Sequence, residues 1–325
     1  MALPLDYIPE LSPNMLAFPL VKAMIANSDQ FQIEAHMKNG ATVLDCGVNV
    51  EGSLEAGLQF AKVCLGGLAN VQLHWHDFNG LHWPSIEVMT DHPLRACMAS
   101  QFAGWTIKLD NCFFAASGPA RAIMHKGKLF EALGCEDLSE IAVVCLEGNS
   151  LPTDNIVHHI AEACNCRLEN LYILIAPTAS IVGTVQVAAR ALETGLFRLR
   201  RMGYDLGKII SGSGVCPVSP VARNTHSALG RTNDAIFYGS TVIYYLRDDD
   251  DVLSNLVKYV PSAAVDGFGQ AYMEYERTHD NLYMMNLDLF TPAVVWMSNL
   301  NSGNSFHSGI LRPDILARSF GFTYS

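Results

Sequence analysis

One pair of charged side chains stands out because it lies in an otherwise apolar segment with a helical pattern. Arg190 and Glu193 are three residues apart, at the end of a run rich in Val and Ala that begins near Ser180. Side chains at positions i and i+3 of a helix are neighbours, so the guanidinium and the carboxylate are expected to pair. On an exposed helix this would be a surface salt bridge worth less than about 1 kcal/mol. The apolar neighbours predict burial, which is costly for unused charges, so the pattern favours a functional pair.

Two glycine-containing turns carry further polar side chains that could bind a ligand. Asn49 and Glu51 lie in the first turn, Asp45–Ser53, which follows an apolar strand pattern. This turn could equally be a strand end followed by a helix N-cap. Ser117 and Arg121 belong to the second turn, in the sequence Ser-Gly-Pro-Ala-Arg, which reads as an elbow between a strand and a helix. Its amides and its guanidinium could hold an anion or a carbonyl-rich ring.

A glycine pair resembles the start of a dinucleotide-binding fingerprint. Gly212 and Gly214 have the right spacing, but the third glycine of the fingerprint is absent. Pro217 would also interrupt the helix that should follow. A nucleotide-dependent oxidoreductase is therefore kept only as a minor alternative.

Three histidines are candidate metal ligands. His74 and His76 would share one face of a strand, and His82 follows shortly after. No cysteine or carboxylate lies at a familiar ligand spacing from them, and tryptophans accompany them. We therefore predict no metal site and an aromatic surface loop.

The composition narrows the class of protein. The 325 residues include 50% apolar and only 16% charged side chains, with a net charge of −11. These values exclude a disordered chain, a coiled coil and a nucleic-acid-binding surface as primary interpretations. Nine cysteines without paired spacing, and no signal-peptide pattern at the start, predict reduced thiols in the cytoplasm. The uncharged run Leu171–Ala189 is divided by Pro177 and Thr178, which favours a buried strand and a buried helix over a membrane span.

The periodicity predicts an α+β fold, layered as in α/β proteins, with two domains at residues 1–145 and 146–325. The boundary is soft, and the C-terminal segment could pack back on the first domain. Predicted helices cover residues 13–35, 53–63, 93–102, 153–164, 180–193, 252–257 and 312–320. Predicted strands cover residues 41–46, 71–75, 86–90, 105–109, 113–116, 141–146, 171–176, 236–238, 241–246, 294–298 and 305–308.

Several stretches, taken in order along nearly the whole chain, resemble the methenyltetrahydromethanopterin cyclohydrolase family. The matching stretches are Thr42–Ser53, Lys62–Ala69, Ser117–Ala122, Ala176–Gly183, Gly230–Ala235 and Ser319–Phe322. The sequence departs from the family before about Leu16 and in the segment His74–Trp83. The frequent Cys, Asn and Gln, with modest acidity, resemble a version from a bacterial methylotroph.

The resemblance implies two α/β domains enclosing a pterin-binding cleft, a homotrimer, and no metal or redox cofactor. It implies reversible hydrolysis of the 5,10-methenyl cation to the 5-formyl pterin in one-carbon metabolism, here formaldehyde oxidation. The family's catalytic glutamate and arginine match Glu193 and Arg190. Asn49, Glu51, Ser117 and Arg121 are then candidates for holding the pterin. A non-catalytic pterin-binding or assembly protein with the same fold is the main alternative.

Overall fold

A computed structural model describes residues 8–124, 136–274 and 287–322. The chain divides into two compact units, each made of two separate stretches. The first unit contains residues 1–70 and 94–186, and the second contains residues 71–93 and 187–325. Residues 71–93 therefore leave the first unit to join the second.

The first unit is built on a six-stranded mixed sheet with the order β1-β2-β8-β7-β6-β5. Strands β2, β8 and β7 are parallel neighbours, whereas β1, β6 and β5 run antiparallel to the strands beside them. The strands are β1 (Glu34–Lys38), β2 (Ala41–Asp45), β5 (Trp105–Leu109), β6 (Cys112–Ser117), β7 (Ala142–Glu147) and β8 (Leu171–Ala176).

Helices cover both faces of this sheet, which explains why β7 and β8 are almost continuously apolar. The helices are α1 (Pro13–Ala26), α2 (Ser28–Phe31), α3 (Leu54–Cys64), the π-type helix α4 (Leu94–Gln101), α5 (Ala120–Met124), α6 (Asp154–Ala163) and α7 (Ile181–Ala188). Ile156 and Ile160 of α6 pack on one face of the sheet. Val21 of α1 and Phe60 of α3 pack on the other.

The second unit contains another six-stranded mixed sheet, with the order β12-β11-β10-β9-β4-β3. Its strands are β3 (Asn70–Asp77), β4 (His82–Thr90), β9 (Ile209–Pro217), β10 (Thr241–Leu246), β11 (Val294–Asn299) and β12 (Ser305–Gly309). Its helices are α8 (Ala191–Arg201), α9 (Thr225–Gly239), α10 (Asp250–Leu256) and α11 (Pro313–Phe320). Helix α11 packs on α9, so the C-terminal segment belongs to this unit.

The α+β class and most predicted elements are confirmed. Ser12 caps α1 through its side chain, and Ser53 caps α3 in the same way. The predicted strands 294–298 and 305–308 are β11 and β12, which a hairpin around residues 301–303 joins. The first predicted helix is too long, because residues 34–38 form β1 after a left-handed turn at Gln32.

One predicted strand is wrong, one observed strand was not predicted, and one predicted helix is interrupted. Residues 236–238 lie in the last turn of α9, not in a strand, because a three-residue apolar run has no periodicity of its own. The segment 209–217 forms a central strand that its sequence pattern did not predict. The predicted helix 180–193 is interrupted after Ala188, and α8 begins at Ala191 and continues to Arg201.

The compact units also differ from the predicted division at residues 145 and 146. Strand β8 inserts between β2 and β7, so residues 146–186 group with the first unit. Residues 71–93 supply β3 and β4 to the second sheet. Among the described residues, none of the helices has the length and apolar character needed to cross a bilayer.

Candidate active site

Arg190 and Glu193 form a buried ion pair at the start of α8. The Arg190 Nη1 atom donates to Glu193 Oε2 at 2.8 Å. Their side chains are only 13% and 8% exposed. Arg190 is the residue immediately before α8, and its carbonyl accepts from the amide of Thr194 at 3.0 Å. The predicted pairing is therefore confirmed, although Arg190 lies at a helix start and not within a continuous helix.

A tyrosine hydrogen bond and two glycines allow the first turn of α8 to pack closely on the second sheet. Tyr244 of β10 donates its hydroxyl to the Leu192 carbonyl at 2.8 Å. A Cβ atom at Gly195 would lie 2.1 Å from that hydroxyl oxygen, so only glycine permits the contact. A Cβ atom at Gly212 would lie 3.0 Å from the Leu192 side chain. These contacts fix the backbone on both sides of Glu193.

Burial and the arginine act in opposite directions on Glu193. Desolvation of its carboxylate raises the pKa of Glu193, and the charge and hydrogen bond of Arg190 lower it. Burial has the larger effect, so the pKa is raised overall. A carboxyl group with a raised pKa, held by a fixed donor, is suited to taking and returning a proton.

The first predicted binding turn is organised by Asp45. Its carboxylate is fully buried and accepts from the amides of Gly47, Val48 and Asn49 at 3.0, 2.6 and 2.9 Å. The Asn49 side-chain amide also donates to it at 3.0 Å. Asn49 and Glu51 are themselves exposed. The turn therefore presents both candidates at the surface of the first unit. Asp45 is a supporting residue whose role was not predicted from the sequence.

The second predicted turn is more enclosed. Ser117 and Arg121 are only 4% and 5% exposed. The Ser117 hydroxyl donates to the Cys145 carbonyl at 3.4 Å and also lies 3.4 Å from Cys64 Sγ. Burial lowers the pKa of Arg121 to about 10. These contacts favour a supporting role for Ser117 within the fold.

The structure does not bring the two turns to the same edge of the first sheet. Asn49 follows the carboxyl end of β2, where the parallel strands β8 and β7 also end. Strand β6 runs antiparallel to β7, so the chain after Ser117 proceeds toward the amino end of β7. There the Asn14 side chain links the Pro119 carbonyl to the Val143 amide.

Gly212 and Gly214 lie inside β9 rather than in a turn between a strand and a helix. A Cβ atom at Gly214 would lie 2.9 Å from the Val242 side chain, just as one at Gly212 would meet Leu192. The glycines thus allow close packing against the sheet. This position does not provide the phosphate-binding turn that the nucleotide alternative requires.

The three histidines considered as ligands lie on β3 and β4, not in a surface loop. His74 Nε2 is 3.3 Å from Glu87 Oε2, and the ring of His82 stacks on Trp75 at 5.4 Å. Within the described part of the chain, no group of three His, Cys, Asp or Glu side chains could hold a metal ion. Six of the eight described cysteines are buried. They therefore act as small side chains of the core.

A surface cleft of about 460 Å³ lies elsewhere in the second unit. It is bounded by the turn after β3 and by α11, and its lining residues are Asn79, Gly80, Leu81, Pro313, Asp314, Ala317, Arg318 and Phe322. None of the candidate site residues lines it.

Known proteins resemble this chain along nearly its full length. A family model described as Cyclohydrolase (MCH) matches residues 12–320. The methenyltetrahydromethanopterin cyclohydrolase of Methanosarcina barkeri is 41% identical over 316 residues, which cover 96% of this chain and 98% of the relative. The enzyme of the same name from Methanocaldococcus jannaschii is 37% identical over 320 residues, covering 96% and 99%. This chain therefore belongs to the methenyltetrahydromethanopterin cyclohydrolase family.

Proposed function

We propose that this protein hydrolyses 5,10-methenyltetrahydromethanopterin to 5-formyltetrahydromethanopterin, with Glu193 as the group that transfers protons. The observation that carries the proposal is the buried ion pair between Glu193 and Arg190, at 2.8 Å. Family membership supports the substrate and the reaction. The raised pKa of Glu193 supports its use as a base that also returns the proton.

The proposed reaction needs no external activation of the substrate. The methenyl carbon is shared between N5 and N10 and carries positive charge, so it is already electrophilic. Water adds to this carbon, and Glu193 accepts one of its protons. The bond from the carbon to N10 then breaks, N10 receives a proton from Glu193, and the hydroxyl proton leaves to solvent. The cation and water thus give the neutral formyl product and one proton.

Arg190 acts in this scheme as a positioning residue. Its hydrogen bond fixes the Glu193 carboxylate, and its charge limits how far burial raises the pKa of that carboxyl. We propose that enough of Glu193 is consequently ionised at neutral pH to accept the proton of water. The positive charge of Arg190 also stabilises the carboxylate that forms again when Glu193 gives its proton to N10.

The finer assignments from the sequence remain proposals. We propose Asn49 and Glu51 as surface contacts of the pterin. Ser117 and Arg121, predicted as further pterin contacts, lie toward the other edge of the first sheet, and we propose that they support its fold. We propose that no metal or redox cofactor takes part, because the substrate carbon is already activated. A cytoplasmic role in the formaldehyde oxidation of a methylotroph follows from the resemblance and stays a prediction.

We also propose a homotrimer. The exposed face of the second sheet supports self-association, because Met89, Tyr245 and Trp296 are 53%, 37% and 36% exposed there. Register places Met89 and Trp296 in one row across the sheet, with Ser213 and Ile243 between them. An apolar row on an open sheet face is typical of a protein interface. Light scattering coupled to gel filtration tests the stoichiometry.

A spectrophotometric assay tests the proposed reaction. Ring opening destroys the conjugated methenyl cation, so its near-ultraviolet absorption should disappear on addition of the protein. Wild-type protein that binds the methenyl pterin without accelerating this loss would instead support the alternative of a non-catalytic binding protein.

A further inference from the structure

The carboxylate of Glu147, at the end of β7, accepts hydrogen bonds from two buried side chains. Glu147 Oε1 accepts from the Thr178 hydroxyl at 2.5 Å, and Oε2 accepts from the Gln186 side-chain amide at 3.1 Å. Thr178 and Gln186 are only 1% and 2% exposed, whereas Glu147 is partly exposed. Each oxygen of the carboxylate therefore accepts from a different buried donor.

The two donors are themselves rigidly placed. The Ser180 hydroxyl donates to the Pro177 carbonyl at 2.7 Å and accepts from the Gly183 amide at 3.0 Å. A Cβ atom at Gly183 would lie 2.0 Å from the Pro177 carbonyl oxygen, so the start of α7 presses directly on this turn. Thr178 lies within this turn, between Pro177 and Ser180, and Gln186 lies further along α7. The orientation of the carboxylate is therefore set before any ligand binds.

Glu147 also retains unused acceptor capacity. An ionised carboxylate offers about four acceptor positions, of which Glu147 uses two toward the described residues. Within residues 8–124, 136–274 and 287–322, no Lys, Arg or His lies within ion-pair distance of it. The buried Asp45 differs, since four N–H groups of its own turn surround it. Glu147 is thus built to accept from something outside the first unit's own core.

Glu147 lies at the carboxyl end of a parallel strand. In sheets with parallel strands, ligands are held at the carboxyl edge. Strands β2, β8 and β7 are parallel neighbours that end at this edge, and Asn49, Thr178 and Glu147 lie at or just beyond their respective ends. The predicted pterin contact Asn49 and the fixed carboxylate therefore belong to the same edge.

We propose that Glu147 binds the 2-amino-4-oxopyrimidine edge of the pterin. The N3–H and 2-amino groups of that edge are two parallel donors, which match the two oxygens of a fixed carboxylate. This inference rests on the proposed function for the identity of the ligand. It assigns Glu147 to recognition of the pterin ring, apart from the proton transfer by Glu193.

Two ring fragments test this assignment without any turnover. 6-Methylpterin offers the paired donors, whereas 6-methyllumazine has an oxygen in place of the 2-amino group and would repel a carboxylate. Wild-type protein should bind the pterin at least about tenfold more tightly than the lumazine. Glu147→Gln should weaken pterin binding about 10- to 100-fold and remove the preference, because its amide can donate to the lumazine oxygen.

The matched control is Glu162→Gln, which removes the same charge from an exposed position on α6 in the same unit. It should leave both affinities unchanged. A purely structural role for Glu147 would lower the thermal midpoint and weaken both ligands equally, with the preference intact, and this result would overturn the assignment. Absence of pterin binding by the wild-type protein would also overturn it. A pterin preference that depends on Glu147, in a protein without cyclohydrolase turnover, would keep this inference and reject the proposed reaction.

Discussion

Replacing Arg190 should change the pH dependence of the reaction more distinctively than any other single substitution. The Arg190–Glu193 pair is 2.8 Å long, and both side chains are largely buried, so solvent screens their interaction weakly. Arg190→Ala removes the two effects that lower the pKa of Glu193 and leaves the desolvation that raises it. An adjacent arginine typically shifts a carboxyl by about 1 to 3 pH units. The acidic limb of kcat/KM should therefore move upward by about that amount.

The loss in free energy of unfolding caused by Arg190→Ala has an upper limit. The orphaned carboxylate can avoid its burial cost by binding a proton, which at pH 7 costs about 3.7 kcal/mol for a group with an ordinary pKa near 4.3. At pH 5 the same protonation costs only about 1 kcal/mol. The free energy of unfolding of Arg190→Ala should therefore fall by at most about 4 kcal/mol at pH 7, and by less at pH 5, apart from lost packing.

Stopped-flow rates and urea denaturation, each measured from pH 5 to pH 9, check these values. Arg190→Lys keeps a positive charge and serves as the control, so its acidic limb should move less than that of Arg190→Ala. An unchanged acidic limb in Arg190→Ala, together with a stability loss independent of pH, would refute the electrostatic role of Arg190.

Four further predictions follow from other parts of the structure. Exhaustive chelation should leave turnover unchanged; activity lost on chelation and restored by zinc would contradict a metal-free reaction. The methanopterin carrier should be preferred over tetrahydrofolate, and equal kcat/KM for the two methenyl carriers would contradict the substrate assignment. Asp45→Asn should lower the free energy of unfolding by about 2–4 kcal/mol, because the buried carboxylate accepts from four N–H groups. Urea denaturation measures this loss, and a loss below about 0.5 kcal/mol would show that the turn does not depend on the charge of Asp45. Burial raises the pKa of Asp234 to about 7. Between about pH 4 and pH 7 the folded state therefore binds more protons than the unfolded state, and the free energy of unfolding should fall as the pH rises through that range. Asp234→Asn should reduce this fall in thermal midpoint, and an unchanged pH profile would contradict the shift.

The sequence predicted the Arg190–Glu193 ion pair because its signal was local. Arg190 and Glu193 are the charged residues of an apolar helical segment, and the spacing of three residues alone predicts their contact. The interruption before α8 was not predicted, since no proline or glycine marks residues 189–190. The buried strand β8 was predicted with its observed bounds, because six apolar residues precede Pro177.

The missed features depend on contacts that are distant in sequence. Gly212 and Gly214 look like turn residues, yet they are needed in β9 because Leu192 and Val242 pack against them. Glu147 reads as an ordinary charged residue after an apolar strand. Its significance depends on Thr178 and Gln186, which are 31 and 39 residues away along the chain. A search for carboxylates at the carboxyl ends of apolar strands would have found Glu147 as a candidate.

The most direct test of the account is the single-turnover rate of Glu193→Gln with the methenyl cation. The substitution keeps the size of the side chain and allows a hydrogen bond from Arg190, but it removes the group that accepts the proton. General acid–base catalysis typically contributes about 10²- to 10⁴-fold, so the rate should fall by at least that order while the circular dichroism spectrum and thermal midpoint stay close to those of wild type. A folded Glu193→Gln protein that opens the ring within a few-fold of the wild-type rate would contradict the proposed role of Glu193, and Glu51 would become the next carboxylate to test.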